Sequence, residues 1–241
     1  MITTLDYLLV PVAYLYISAV IYLATMLQRK EHIDGPLARK IVHLGIGSLV
    51  ILAPLLFSTR IIPTLIGASF ILITYLSCPI SPISRWRISA FKECHGLGTV
   101  YYAISLTTLL YLYFDQAWLI QVAFLPLVFG DACASIFGRR WGRHHWPGSK
   151  KSIEGSIAGG LATFVAVLLV LILYYLLSSY PGTFISILLL SLVVAVMMMV
   201  VEVLSPHGLD NLTIPLCCLL LALSARNFLF GQCRQISCWI V

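Results

Sequence analysis

Eight apolar runs, each near the ~20 residues a helix needs to cross a bilayer, leave this chain few ways to fold. They lie at about 7–27, 41–57, 61–77, 98–114, 117–137, 154–177, 184–201 and 210–225. The runs are continuous rather than alternating, so they read as helices and not as strands of a barrel. Too little charge remains to cover a soluble domain: of 241 residues, 60% are hydrophobic and 10% charged, with mean hydropathy +0.99. A water-soluble domain of this length exposes far more polar surface. The expected fold is all-α, a polytopic integral membrane bundle of about eight transmembrane helices, forming one domain over residues 1–241 without an internal repeat. The opening Met-Ile-Thr-Thr-Leu-Asp lacks a basic stretch, and the run behind it is too long for a cleaved signal, so it reads as the first span.

Charge is distributed unevenly between the two sides. Twelve of the fifteen Lys and Arg fall in the first, third and fifth connections: Arg29, Lys30, Arg39 and Lys40, then Arg85, Arg87 and Lys92, then Arg139, Arg140, Arg143, Lys150 and Lys151. The positive-inside rule places these connections in the cytoplasm and both termini on the opposite side. That bias accounts for the net charge of +6, and no nucleic-acid partner is needed. Arg85-Trp86-Arg87 and Arg140-Trp141 read as interfacial anchors rather than base-stacking platforms. All six histidines and seven of the nine acids lie on the same cytoplasmic side. Acids contribute little to topology, so insertion does not require this clustering, whereas a polar site facing the cytoplasm at membrane level does. The seven cysteines form no Cys-x-x-Cys pair and read as idle thiols in a reducing compartment. Cys94-His95 has no second half at zinc-ligand spacing.

Four segments on that side carry polar groups that could meet. In Ala38-Arg39-Lys40-Ile41-Val42-His43, the cations and His43 share one helix face by their i, i+3 and i, i+4 spacing. His43 suits a proton acceptor, a phosphate contact or an interfacial histidine with no task. Glu93-Cys94-His95-Gly96-Leu97-Gly98-Thr99 opens the fourth run with glycines that let backbone approach a ligand, and with a hydroxyl. The third segment surrounds Asp131, an acid at the membrane edge and therefore a functional candidate. It continues to Gly148-Ser149-Lys150-Lys151-Ser152, which leads into a helix whose first-turn N–H groups are expected to be free for an anion. Gly155 and Gly159 suit a close backbone approach or helix packing. In the fourth segment, Glu202, Asp210 and Asn211 flank a connection without a cation. Such acids call for a lysine partner or a divalent metal, and Mg²⁺ is typically held by one or two carboxylates together with substrate phosphates.

Together these segments resemble the membrane lipid kinases that act on phytol, farnesol, polyprenols and dolichol, a family that in turn resembles the phosphatidate cytidylyltransferases. The match rests on Gly130-Asp131-Ala132, Gly138-Arg139-Arg140-Trp141-Gly142, Pro147-Gly148-Ser149-Lys150-Lys151-Ser152-x-Glu154-Gly155-Ser156, and Glu202-x-x-Ser205-Pro206-x-Gly208-Leu209-Asp210-Asn211-Leu212-Thr213-x-Pro215. Arg39-Lys40-x-x-His43 and Gly98-Thr99 also fit. The resemblance implies phosphoryl transfer from CTP, with Mg²⁺, to an isoprenoid alcohol such as phytol. It implies that Lys150, Lys151, Ser149, Ser152 and the backbone of Gly148 and Gly155, with Arg39 and Lys40, hold nucleotide phosphates. Asp131 and Asp210 would hold the metal with Asn211 or Glu202, and a carboxylate or His43 would accept the alcohol proton. A second reading is CMP transfer to a lipid phosphate. The Asp-Arg-x-Asp signature of that relative is replaced here by Ser205-Pro206-His207-Gly208-Leu209-Asp210-Asn211. A transporter is a third reading, disfavoured because the charges sit at one mouth rather than the midplane.

Overall fold

The structure is a computed structural model that describes residues 2–30, 32–78, 97–180, 182–206 and 208–237, with side chains as far as Phe228. Glu31, Glu93, Cys94, His95 and His207 lie outside the described residues, as do Arg85, Arg87 and Lys92. The described chain is helical: α1 Thr4–Arg29, α2 Gly35–Leu56, α3 Ile61–Ser77, α4 Gly98–Tyr113, α5 Ala117–Leu125, α6 Asp131–Trp141, α7 Ile153–Leu176, α8 Phe184–Leu204 and α9 Asp210–Ser237. A π-helical turn, Pro126–Gly130, joins α5 to α6, so the two count as a single rod and the described residues form eight helical segments, the number expected. Six are long and apolar enough to cross a membrane. At ~1.5 Å per residue, the 17-residue α3 reaches only about 25 Å. Packing divides the chain into two compact units, Met1–Ala117 with Ser205–Thr213, and Trp118–Leu204 with Ile214–Val241.

In the first unit, polar caps fix the helix ends. Asp6 is fully buried: it accepts from the Thr3 N–H and hydroxyl, and from the Ser58 N–H at 2.7 Å. The start of α1 is thereby tied to the four-residue link between α2 and α3. So short a link leaves those helices antiparallel. At the other end of α2, Asp34 accepts from the Leu37 N–H at 2.8 Å, and Pro36 occupies the first turn, where its missing N–H costs nothing. Glycines then let helices approach closely. A Cβ on Gly45 would lie 2.6 Å from Val20 of α1, and one on Gly67 would lie 2.5 Å from the Thr107 hydroxyl of α4.

In the second unit the same principle is stronger. Where lipid is as apolar as leucine, helices are joined by close contact of small residues rather than by burial of large ones. Gly130, Ala134 and Gly138 of the α5–α6 rod face Gly155 and Gly159 of α7, and a Cβ on Gly159 would lie 2.8 Å from both the Ala134 Cβ and the Gly130 carbonyl. The large side chains Leu161, Leu169 and Leu173 of α7 point outward. The α5–α6 rod is the exception, with 78% of its most apolar stretch buried in protein.

Candidate active site

The first unit holds parts of three of the polar segments: Arg39, Lys40 and His43, then Gly98 and Thr99, then Gly208 to Thr213. The His43 ring lies on the Tyr102 ring with centroids 4.1 Å apart and a 23° tilt, and the Tyr102 hydroxyl donates to the His43 carbonyl at 2.6 Å. Both residues are buried, and Lys40 is buried one turn earlier on α2. Arg39 is half-buried, and among the described residues its Nε has no hydrogen-bond acceptor. The N-terminus of α4 abuts the turn before α9. Gly98 and Gly208 pack backbone to backbone, such that a Cβ on Gly98 would lie 3.2 Å from the Gly208 Cα. Gly208 adopts φ +87°, a conformation that suits glycine alone among ordinary residues. The Ser105 hydroxyl donates to the Asn211 carbonyl at 2.7 Å, and Ser205 and Thr213 hydroxyls pair at 2.6 Å. Asp210 opens α9, its Oδ1 accepting from the Asn211 N–H at 3.0 Å. The Asn211 amide donates to the Gly208 carbonyl, which leaves its buried Oδ1 without a hydrogen-bond donor among the described residues. A buried oxygen in that condition suits a cation.

The second unit builds a compact charged cluster. The Lys151 ammonium lies 2.9 Å from Glu202 Oε1 and donates also to the Glu202 backbone carbonyl. Ser156 donates to Glu202 Oε2 at 3.3 Å, and the Trp146 indole N–H donates to the Ser156 hydroxyl at 3.1 Å. The last turn of α8 is thus fastened to the first turn of α7. The connection 142–152 is folded upon itself by a bridge between His145 and Ser152 and by His144, whose Nδ1 sits 2.7 Å from Glu154 Oε1. Gly148 takes φ +72° at its tip, and Lys150 is exposed. Asp131 is only 4% exposed. It follows the π turn, and its N–H bonds to the Pro126 carbonyl five residues back.

These placements depart from the sequence reading in three respects. Asp131, read as an acid at the membrane edge, is buried within its rod, which runs to Trp141, four residues beyond the expected limit at 137. The first turn of α7 is not an open set of donors. The Ile153 N–H bonds the His144 carbonyl, and the Gly155 and Ser156 N–H groups bond the Ser152 hydroxyl and carbonyl. Ser152 is therefore the helix cap, Gly155 packs against Ala134 and Gly138, and Ser149 accepts from the Lys151 N–H at 3.2 Å. Third, Glu202, read as a share in a metal site, has its two oxygens against Lys151 and Ser156. Among the described residues no three His, Cys, Asp or Glu side chains cluster as a metal cage.

Residues 1–202 match the family described as the Cytidylyltransferase family. The chain belongs to that family. Among its relatives, a phytol kinase of Synechocystis sp. is 31% identical over 223 residues, 90% of this chain and 91% of that protein. A probable chloroplastic phytol kinase 3 of Glycine max is 31% identical over 147 residues, 57% of this chain and 46% of that protein. A chloroplastic farnesol kinase of Arabidopsis thaliana is 31% identical over 151 residues, 55% of this chain and 47% of that protein. No solved structure matches. The resemblance to isoprenoid-alcohol kinases and their cytidylyltransferase relatives therefore holds. Two features of this Cytidylyltransferase-family protein were missed in its sequence: the Tyr102 ring against His43 and the π turn before Asp131. Pro126, which lacks an N–H inside an apolar run, was the available signal for the turn.

Proposed function

We propose that this protein phosphorylates a long-chain isoprenoid alcohol, phytol or a close analogue, using CTP at the cytoplasmic face of the membrane. The observation that carries the proposal is the near full-length similarity to a phytol kinase, 31% identity over 90% of the chain. The alcohol oxygen attacks the γ-phosphorus, the bond to the β-phosphate oxygen breaks, CDP leaves, and the alcohol proton passes to His43 or a carboxylate. Such a reaction needs positioning and charge neutralisation more than covalent help from the protein. Lys151, held with its ammonium 2.9 Å from Glu202 Oε1, supplies a cation for a nucleotide phosphate. Lys150, exposed beside it, adds a second ammonium. Arg39 and Lys40 offer further cations in the first unit. In the first unit Asp210 and the Asn211 amide oxygen, and in the second unit Asp131, are each candidates to hold Mg²⁺, which when bound neutralises phosphate charge.

The test uses membranes containing the protein, phytol, and CTP radiolabelled at either the γ- or the α-phosphorus. Label from the γ position should pass to an extractable isoprenoid monophosphate, and label from the α position should not. Transfer of α-label to a lipid would replace this reading with CMP transfer.

A further inference from the structure

The first unit holds an elongated, largely apolar cavity that is open over part of its surface. On α2 and its cap it is lined by His43, Ile46, Val50, Ala53 and Phe57, successive turns of one helix face. The fourteen steps from His43 to Phe57 make that wall about 20 Å long, at ~1.5 Å per step. The α4 wall runs from Thr99 and Tyr102 past Ala103 and Leu106 to Leu110, and α1 and α3 supply further lining. Empty space between these walls, counting the open side, is about 690 Å³.

The lining is polarised along its length. His43, Thr99 and Tyr102 lie at one end, level with the stacked rings, and Thr74 lies toward the same end of the antiparallel α3. The Thr74 hydroxyl bonds back to the Phe70 carbonyl at 2.7 Å, so polar atoms at that end belong chiefly to α2 and α4. Phe57, Pro63 and Leu110 make the other end wholly apolar. A cavity with one polar end and a long narrow apolar body is complementary to a single unbranched or methyl-branched chain with one small polar head. An extended chain advances ~1.2 Å per bond, since the three bonds of a peptide unit span ~3.6 Å. A wall of this length accordingly matches about sixteen bonds, the main chain of a twenty-carbon isoprenoid alcohol. A two-chain phospholipid with a charged headgroup matches neither the single channel nor its modest polar end.

We propose that this cavity is the acceptor site, holding the isoprenoid tail along α2 and α4 with its hydroxyl at His43 and Thr99. The assignment rests on the kinase reading for the identity of the alcohol, and it places the expected proton acceptor at the hydroxyl. It also makes cavity depth the ruler for chain length.

The test compares isoprenoid alcohols of ten, fifteen and twenty carbons with the purified full-length protein in detergent. Each methylene that enters an apolar site is worth about fourfold in kcat/KM. Ala53→Phe fills the deep end. It should lower kcat/KM for the twenty-carbon alcohol at least tenfold and leave the ten-carbon alcohol within twofold of wild type. Ala103→Leu, midway along, should shift the preference in the same direction. Partition into detergent depends on the alcohol and not on the enzyme, so the variant-to-wild-type ratio isolates the cavity. Equal loss at every length, or no loss, overturns the proposal. A photoreactive twenty-carbon alcohol supplies a readout independent of turnover. It should label α2 or α4 peptides, and unlabelled alcohol but not phospholipid should displace it. Displacement by phospholipid would mean that bulk lipid fills the cavity and would overturn the assignment. Labelling of the cavity without phosphorylation of any alcohol would refute the kinase reading and leave the tail site standing. Phosphorylation without such labelling would do the reverse.

Discussion

Replacing Lys151 by methionine tests the second-unit cluster most directly, because structure and chemistry predict separable losses. Glu202 has 8% of its side chain exposed and faces the Lys151 ammonium at 2.9 Å, with the Ser156 hydroxyl on its other oxygen. Removing the cation leaves a nearly buried carboxylate short of a partner. Breaking a fully buried pair costs ~3–5 kcal/mol. The Lys151 side chain retains 29% exposure, so water can reach part of the site and about 2 kcal/mol is the appropriate scale. For a protein of this size that corresponds to a fall of ~4–8 °C in Tm. The double variant Lys151→Met with Glu202→Gln removes the orphaned charge and should recover at least half of the loss. Thermal unfolding of the four proteins of the cycle in one detergent measures the coupling. Turnover should stay lost in the double variant, because stability returns and the ammonium proposed to bind phosphate does not. If the two substitutions are additive to within ~0.5 kcal/mol, Lys151 and Glu202 do not act as a pair and the clamp is refuted.

Asp131→Asn and Asp210→Asn should each abolish turnover while the protein still inserts and binds the photoreactive alcohol; activity above about a tenth of wild type, ~1.4 kcal/mol of barrier, would remove that residue from the metal site. Gly130→Ala places a methyl group 2.2 Å from the Thr163 hydroxyl and 3.1 Å from the Gly159 carbonyl. It should cost ~1–3 kcal/mol in thermal unfolding, with recovery on adding Thr163→Ala; absence of recovery would show that the π turn, not the helix contact, sets the cost. A membrane-impermeant thiol reagent applied from outside should modify Cys233 or Cys238 and spare Cys94, and modification of Cys94 would reverse the proposed orientation.

Much of this fold was legible because bilayer insertion is governed by local composition. A continuous apolar run of bilayer length has no alternative but to be a helix, since every backbone N–H and C=O must be satisfied within it. The eight segments and their approximate limits follow from that alone. The candidate residues were legible for a related reason: charge at membrane depth is costly, so Asp131, Glu202 and Asp210 stand out from their surroundings. What they touch was not legible. Ser152 and Gly155 look alike in sequence whether they cradle an anion or cap and pack a helix. Only the position of α6 assigns them to the second task, because Ala134 and Gly138 occupy the space beside Gly155. Glu202 reads equally as a metal ligand or an ion-pair partner until the turn at 142–152 carries Lys151 to it. Tyr102 is one apolar-run aromatic among twelve tyrosines until α2 and α4 come together and lay its ring on His43. Insertion depends on each segment separately and is written residue by residue, whereas a contact between side chains dozens of positions apart depends on how helices pack, which no single segment encodes.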